Sequence, residues 1–404
     1  MREAGQLRFL AAAKLAEGRI QAAIRHARDF LQATGNPAPV VAYELLNPSH
    51  AAQATGVREI RVLEDADIAS TARMTDGLQQ YVQWAAPYRP PVLRVLAMAR
   101  VAALAPNLML TTDGRLLDDN IGFSNAELCD HMPADFNGIV AAGGRLLVAV
   151  RHRDIAHVTE PALYLPAVSN YAAWLFGSLP RLSAYAACAE HSDLPIVLHG
   201  DVANYHLDSL RAMGIAQERL RIHGAHVRVE CTELYYCTTS YFHHAPSATG
   251  VRHVRECVTG QVAARPGGCA EKRLYLARRH AKDRPLLNET EVVALFERHG
   301  FSAIDPERHS LAEQVRFAAG AEVLAGAYGA NLANMVFANN ARKLLILGTK
   351  HQPEFARLAS ALGIAFWHTV PQAIEMRAGR TMSESFGFTA DLDELERVLR
   401  DCLA

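Results

Sequence analysis

Apolar residues recur at helical spacing near the start of the chain. Leu7, Leu10, Ala11, Leu15, Ile20, Ala23, Ile24 and Leu31 line one side of the run from Gln6 to Ala33, and Gly18 interrupts it, so a helical hairpin is expected. From Pro39 to about Leu110 the pattern is irregular and predicts no definite element. An Asp113-Gly114 turn between apolar runs predicts a hairpin over 108 to 117, and strands are expected from Gly144 to Val150 and from Leu163 to Val168. A helical stretch from Asn170 to Ala189 follows. Next comes a short apolar strand from Leu194 to Leu198, which ends at His199-Gly200-Asp201, and a helix from Leu207 to Met213 that stops at Gly214.

Beyond Ser240 the glycines and prolines (Pro246, Gly250, Gly260, Pro266, Gly267, Gly268) read as a loop-rich connection between domains. The remainder alternates between short apolar strands and helical stretches. Strands are expected at 274–277, 302–304, 322–325, 343–347 and 365–367, with helices between them, one opened by a capping box of Asn288 and Glu291. Such alternation implies βα units and a parallel, doubly wound sheet. A last amphipathic helix is expected from Asp391 to Leu403.

A chain of 404 residues is long enough for two domains of roughly 150 residues each plus an appendage. The expected division is a helical appendage over 1–37, an α/β domain over 38–255, a second over 256–375, and a tail with a helix over 376–404. Half of the residues are hydrophobic and 21% are charged, as in folded globular proteins. With 41 cationic against 42 acidic side chains there is no global field to hold nucleic acid or an anionic membrane. Only five of those cations are lysines (Lys14, Lys272, Lys282, Lys343, Lys350), which reads as a compositional bias. The seven cysteines are scattered and form no C-x-x-C pair, which argues against a disulfide framework or a zinc module and fits a reducing cytosol. The start of the chain lacks a signal-peptide pattern. The most apolar stretch, around Val92 to Leu104, is broken by Arg94 and Arg100, so no transmembrane segment is expected.

Two local signals carry chemistry. In the first, the run from Ala321 to Met335 is a strand entering a turn with Gly326 and Gly329, and the turn opens a helix. Glycine lets a ligand approach the backbone, and a helix start favours a phosphate. The second is the basic cluster Lys272, Arg273, Arg278, Arg279, His280, Lys282 and Arg284, opposed only by Glu271 and Asp283. Arg278 and Arg279 fall at the carboxyl end of a strand, where open α/β sheets bind ligands, and guanidinium groups match diphosphate oxygens. Together the two signals point to a phosphorylated ligand. Weaker candidates are Asp65-Ala66-Asp67, which imitates a metal-holding D-x-D, and His243-His244, which has no third ligand at metal spacing. The aromatic pairs Tyr235-Tyr236 and Tyr241-Phe242 could line a groove.

These stretches resemble the signature of glycosyltransferase family 61. The resemblance rests on Arg273-Leu-Tyr-Leu-Ala-Arg278-Arg279, Arg284 with Asn288-Glu289, Gly300-Phe301, Glu313-Gln314, the Gly326 to Asn334 turn, Phe337, Leu362-Gly363 and Phe366-Trp367. Asn170-Tyr171-Ala172-Ala173-Trp174-Leu175-Phe176-Gly177-Ser178-Leu179-Pro180-Arg181-Leu182 extends it towards the N-terminus. The resemblance implies an α/β, GT-B-like fold, with two Rossmann-like domains facing a cleft behind the helical appendage. It implies an inverting, metal-independent transfer from a nucleotide sugar, uridine diphosphate-linked, to a saccharide acceptor in surface polysaccharide assembly, with no other cofactor. The partners it implies are those two substrates, a second copy of the chain or a polysaccharide-assembly protein. The implied location is the cytoplasm, peripheral to the inner membrane through partners. Arg278, Arg279, Arg284, Asn288, Gly326, Tyr328, Gly329, Ala330, Asn331 and Asn334 are expected on the donor side. Asn170, Trp174 and Arg181 are expected on the acceptor side, and Asp201 with His199 at the proton transfer. The chain departs from the family pattern at four polar positions, which here are Ala173, Gly177, Tyr328 and Ile346. A relative that has lost catalysis and acts as a binding or scaffold subunit is therefore the alternative, and a metal-dependent GT-A enzyme using Asp65 and Asp67 is a third reading.

Overall fold

The computed structural model describes residues 2–73, 86–117, 119, 138–150, 154–242, 245–263, 272–279, 281, 284–348, 353–369, 371–376 and 386–404. His243, His244, Pro266, Gly267, Gly268, Glu271, His280, Lys282 and Asp283 lie outside them.

The chain begins with two helices, α1 (Arg2–Ala16) and α2 (Ile20–Ala33). Ala11, Leu15, Ala23, Ala27 and Leu31 pack on Val40, Ile139, Val140, Leu147 and Ala149, so the hairpin closes one end of a sheet. That sheet contains β1 (Val40–Leu46), β2 (Val57–Leu63), β3 (Leu93–Ala105), β4 (Leu108–Leu110), β5 (Leu116–Leu117), β6 (Gly138–Ala142), β7 (Arg145–Ala149), β8 (Asp154–Val158), β9 (Ala162–Ala167), β10 (Ile196–Gly200), β11 (Leu220–His223) and β12 (Val227–Cys237). Its order is β11-β10-β9-β12-β3-β4-β5-β1-β7-β6, with β2 on β3 and β8 on β12. The sheet is mixed: β9, β10 and β11 run parallel, while β3 meets β12 antiparallel. The irregular region from Pro39 to Leu110 thus holds four strands, β1 to β4. The arginines that interrupt its apolar run lie within β3, where Arg94 pairs with Glu59 of β2 at 2.6 Å.

A helix α3 (Arg181–Ala186), preceded by a π-helical turn at Trp174–Ser178, connects β9 to β10, and α4 (Asn204–Ala212) connects β10 to β11. After a small hairpin of β13 (Tyr241–Phe242) and β14 (Ala245–Pro246), the chain forms α5 (Ala248–Ala263). The loop-rich connection expected there is therefore corrected to a sixteen-residue helix. Val251, Val254, Val258 and Val262 recur every three to four residues and are buried. Gly250 is a close-approach residue, since a Cβ there would lie 2.6 Å from that of Pro180. The expected boundary at residue 255 falls inside this helix.

Asp65 holds the start of α5. Its carboxylate accepts from Ser247 Oγ at 2.8 Å, from the Thr249 amide at 3.1 Å and from the Thr249 hydroxyl. This is a cap, the role an oxygen acceptor plays at orphan helix amides. Asp65→Ala should cost about 0.5–2 kcal/mol of stability, as for other caps. Chemical denaturation measures this, and an unchanged midpoint would contradict the assignment.

A second sheet follows, made of β15 (Arg273–Leu276), β16 (Ser302–Ile304), β17 (Val323–Ala327), β18 (Lys343–Leu347) and β19 (Ala365–Thr369). All its pairings are parallel, in the order β16-β15-β17-β18-β19. Helices α6 (Glu289–Arg298), α7 (Leu311–Gly320) and α8 (Glu354–Ala361) and a 3-10 helix, Ala330–Phe337, connect its strands. Successive side chains alternate between faces. Leu274, Leu276, Leu324, Leu344, Ile346 and Phe366 enter the core shared with α5, α7 and α8. Tyr275, Ala325, Leu345, Leu347 and Trp367 enter a second core under α6 and the last helix, α9 (Leu392–Leu403). A sheet covered on both faces needs apolar residues at consecutive positions, as these strands have. The remaining strands, β20 (Pro371–Met376) and β21 (Phe386–Ala390), pair antiparallel. The expected capping box at Asn288 and Glu291 is not formed. One is formed at α7, where the Ser310 amide donates to Glu313 at 2.8 Å and Ser310 Oγ accepts from the Glu313 amide at 3.4 Å.

The two sheets share one core, which joins α3 and the π turn to α5, α7, α8 and the second sheet. A strap from the first half also crosses to β19, where the Arg73 amide donates to the Phe366 carbonyl at 2.8 Å and the Phe366 amide to the Thr71 carbonyl at 3.2 Å. The chain is an α/β protein with a large mixed sheet and a smaller parallel one. Among the described residues no helix is long and apolar enough to cross a membrane.

Candidate active site

In chain order the second sheet reads 2-1-3-4-5, so the connections leaving β15 and β17 diverge to opposite sides. That divergence opens a crevice at the carboxyl ends of the strands, the usual ligand position in doubly wound sheets. A cavity of about 730 Å3 lies there. One wall comes from the second sheet: Ala277 and Arg278 after β15, Pro306, Glu307, His309, Ser310 and Leu311 after β16 with Gln314 of α7, and Ala330, Asn331 and Asn334 after β17. The opposite wall comes from the first half, with Tyr171 after β9 and Ala203, Asn204, Tyr205 and Asp208 after β10. The volume is in the range of small-molecule sites.

Arg278 is fixed by three neighbours. Its amide donates to Glu289 Oε1 at 2.7 Å, and its Nη1 donates to the Tyr328 carbonyl at 2.8 Å. Its guanidinium also lies against Gly329, where an added Cβ would come within 2.7 Å of Nη1. The extended backbone of Gly329 (φ 175°) is open to any residue, so glycine is needed there only to admit the arginine. Burial pushes the Glu289 carboxyl above its usual range, opposed by the hydrogen bonds from the Arg278 amide and the Tyr275 hydroxyl. Asn331 points its amide nitrogen at the Leu276 carbonyl, 2.8 Å away, which ties the turn after β17 to the end of β15.

A polar chain ties the two walls together. The Tyr171 hydroxyl donates to Asn334 Oδ1 at 2.9 Å, and Asn334 Nδ2 donates to Gln314 Oε1 at 3.0 Å. Gln314 Nε2 in turn donates to the carbonyls of Pro306 and His309, at 2.9 and 3.0 Å, and so holds the loop that forms the cavity rim. On the opposite wall the Tyr171 and Tyr205 rings meet edge to face at 5.4 Å. Behind them His206 accepts from the Ala203 amide at 2.8 Å through Nδ1, and its Nε2 lies 2.9 Å from the Val168 carbonyl. In that arrangement Nδ1 is the acceptor and Nε2 carries the proton that faces the carbonyl.

Of the residues singled out from the sequence, Arg278, Ala330, Asn331 and Asn334 line the cavity. Gly329 and Tyr328 act from behind: Tyr328 is buried against Phe355 and contributes its carbonyl to Arg278. The others are elsewhere. Gly326 admits the close packing of Leu276 and Leu332. Asn288 exchanges two hydrogen bonds with the Ala390 backbone. Arg279 is exposed, and neither it nor the half-buried Arg284 lines the cavity. Asn170 caps the turn at Tyr171–Ala173. Trp174 is fully buried, with its indole N–H on Ser209 Oγ at 2.8 Å. Arg181 is also buried, 3.4 Å from the equally buried Asp119. His199, expected at the proton transfer, is corrected to a core residue: it is 0% exposed and its Nδ1 meets the Tyr164 hydroxyl at 2.8 Å. Asp201 is exposed just past β10 and does not line the cavity. Asp208, Tyr205 and His309 also line it and were not singled out, and Gln314, which lines it too, was named only within the family signature. The carboxyl end of β10 was the signal that could have found the first two. Tyr235 and Tyr236 lie in the sheet core.

With Asp65 used as a cap, the D-x-D reading loses its first ligand. Among the described residues no group of three or more histidine, cysteine or acidic side chains could hold a metal ion.

A doubly wound parallel sheet, an arginine at its switch point and a facing wall from the first half of the chain enclose a cavity of small-molecule size. Residues 148–345, which contain every residue of that cavity, match the family model Glycosyltransferase 61. The match supports membership of this glycosyltransferase family, whose members take a sugar donor and an acceptor. No curated protein matches the chain.

Proposed function

We propose that the cavity binds a nucleotide sugar, uridine diphosphate-linked, and that the protein transfers the sugar with inversion to a saccharide acceptor. The supporting observation is the pinned Arg278 on the wall of a cavity at the switch point. An inverting transfer needs a cation near the departing diphosphate, and a preoriented guanidinium supplies it without reorganisation. The acceptor oxygen attacks the anomeric carbon, the bond to the diphosphate breaks, and the hydroxyl proton passes to a carboxylate. Asp208 is the carboxylate on the wall facing Arg278, and it takes the role first expected of Asp201 and His199. The Tyr171 and Tyr205 rings offer apolar faces to a sugar or base. No divalent ion is required in this scheme, because Arg278 supplies the charge at the leaving group. Assembly of surface polysaccharide in the cytoplasm is the setting we propose.

Release of uridine diphosphate from uridine diphosphate sugars, measured with saccharide acceptors and with excess chelator, tests the reading. Turnover that persists in chelator is expected. Turnover abolished by chelator and restored by manganese would contradict metal independence, and nucleotide binding without turnover on any donor would favour the scaffold alternative.

A further inference from the structure

A second pocket, of about 430 Å3, opens on the face of the large sheet, lined by β3, β8, β12 and the 111–115 hairpin turn. Strand alternation sets one row of polar side chains there. Glu230 pairs across the ladder with Ala102 and His157, so Arg228, Glu230 and Thr232 of β12 share a face with Arg100 of β3 and His157 of β8. The opposite face, with Val101, Val229 and Cys231, is core. Glu230 is the one carboxylate in the pocket lining. It lies 2.9 Å from Arg228 and 3.5 Å from His157, so it is already shared. Asp113 at the neighbouring turn is held by Arg115 at 2.6 Å. The charge left over is that of Arg100.

Arg100 has a left-handed backbone (φ 52°), which is costly for a residue with a Cβ. The Thr112 hydroxyl fastens this kink by donating to the Ala99 carbonyl at 2.6 Å. Among the described residues the Arg100 guanidinium makes no hydrogen bond or ion pair that would offset the cost. A strained backbone that presents an uncommitted cation to a pocket is a pattern found at ligand sites.

We infer that this pocket is a second binding site, separate from the cavity beside Arg278, and, resting on the reading that the protein acts on saccharides, that it takes an anionic sugar unit, its carboxylate on Arg100 and its hydroxyls on the threonines. It lies on the N-terminal half. The neutral sugar of the same size lacks the charge that Arg100 selects.

The test is calorimetric titration of the full chain with a glucuronate-containing tetrasaccharide, with its neutral glucose-containing counterpart and with inorganic phosphate. The charged oligosaccharide is expected to bind at least about tenfold more tightly than the neutral one, equivalent to about 1.4 kcal/mol. Arg100→Gly removes the guanidinium and relieves the left-handed backbone, so this variant should melt no lower than the parent while losing that tenfold preference. Nucleotide binding should be unchanged in it. Equal binding of charged and neutral oligosaccharides, an unaltered preference in Arg100→Gly, or binding of phosphate without binding of the uronate would each overturn the assignment.

Discussion

Arg278→Ala is expected to weaken nucleoside diphosphate binding by about 10- to 150-fold, the loss of one hydrogen-bonded charge worth about 1.5–3 kcal/mol. The guanidinium is already aimed at the cavity by the Tyr328 carbonyl and the Gly329 backbone, so no ordering cost is recovered when it is removed. Arg278→Lys should recover only part of the affinity, because an ammonium group cannot both bond Tyr328 and present a planar fork. Gly329→Ala should reproduce the defect through displacement of the arginine, with its own side chain making no ligand contact. Calorimetry with uridine diphosphate measures all three. Undiminished affinity in Arg278→Ala, in a variant that melts like the parent, would remove the assigned site.

Arg181→Ala is expected to be the most damaging single change to stability, by about 3–5 kcal/mol, as for other buried pairs deprived of one partner. Both Arg181 and Asp119 are 2% exposed. Asp119 accepts from the Tyr236 hydroxyl at 2.6 Å and from the Thr239 amide at 2.8 Å, while Arg181 donates to the Cys237 carbonyl at 2.8 Å. The guanidinium also lies over the Tyr236 ring, 5.5 Å from its centre. Its removal leaves an aspartate in a low-dielectric interior with one cation fewer. Against a total stability of about 5–15 kcal/mol for a typical domain, such a loss leaves little folded protein at elevated temperature. Equilibrium denaturation of Arg181→Ala measures it. A loss below about 1 kcal/mol, the size of an ordinary surface change, would contradict the buried pair. Arg181 belongs to the stretch first expected at an acceptor site, so its measured role separates folding from ligand recognition.

How far these roles were legible varies from element to element. The C-terminal strands were readable because a parallel sheet buried on both faces demands uninterrupted apolar runs, and each run is bounded by turn residues. Helix α5 was missed because Gly250 and Gly260 were weighed as loop signals, although the valine spacing was helical. Strand β3 was missed because its arginines face outward from an apolar run, and burial depends on which strands flank it. Arg278, Asn331 and Asn334 could be named in advance because each follows closely on a parallel strand. His199, Trp174 and Arg181 also stand near strand ends or in a motif, but their side chains point into the core.

Local pattern by itself settled the helical hairpin, the βα alternation and the end of the second sheet at which the cavity opens. Those properties follow from side-chain periodicity and from the backbone needs of strands and helix starts, which act over a few residues. The tertiary structure alone decided that the two halves share one core, that Asp65 caps a helix 184 residues away, and that Asp208 and Tyr205 face Arg278 across a cavity. Each of these is a contact between distant segments, set by how whole faces pack, and no local pattern encodes which face meets which.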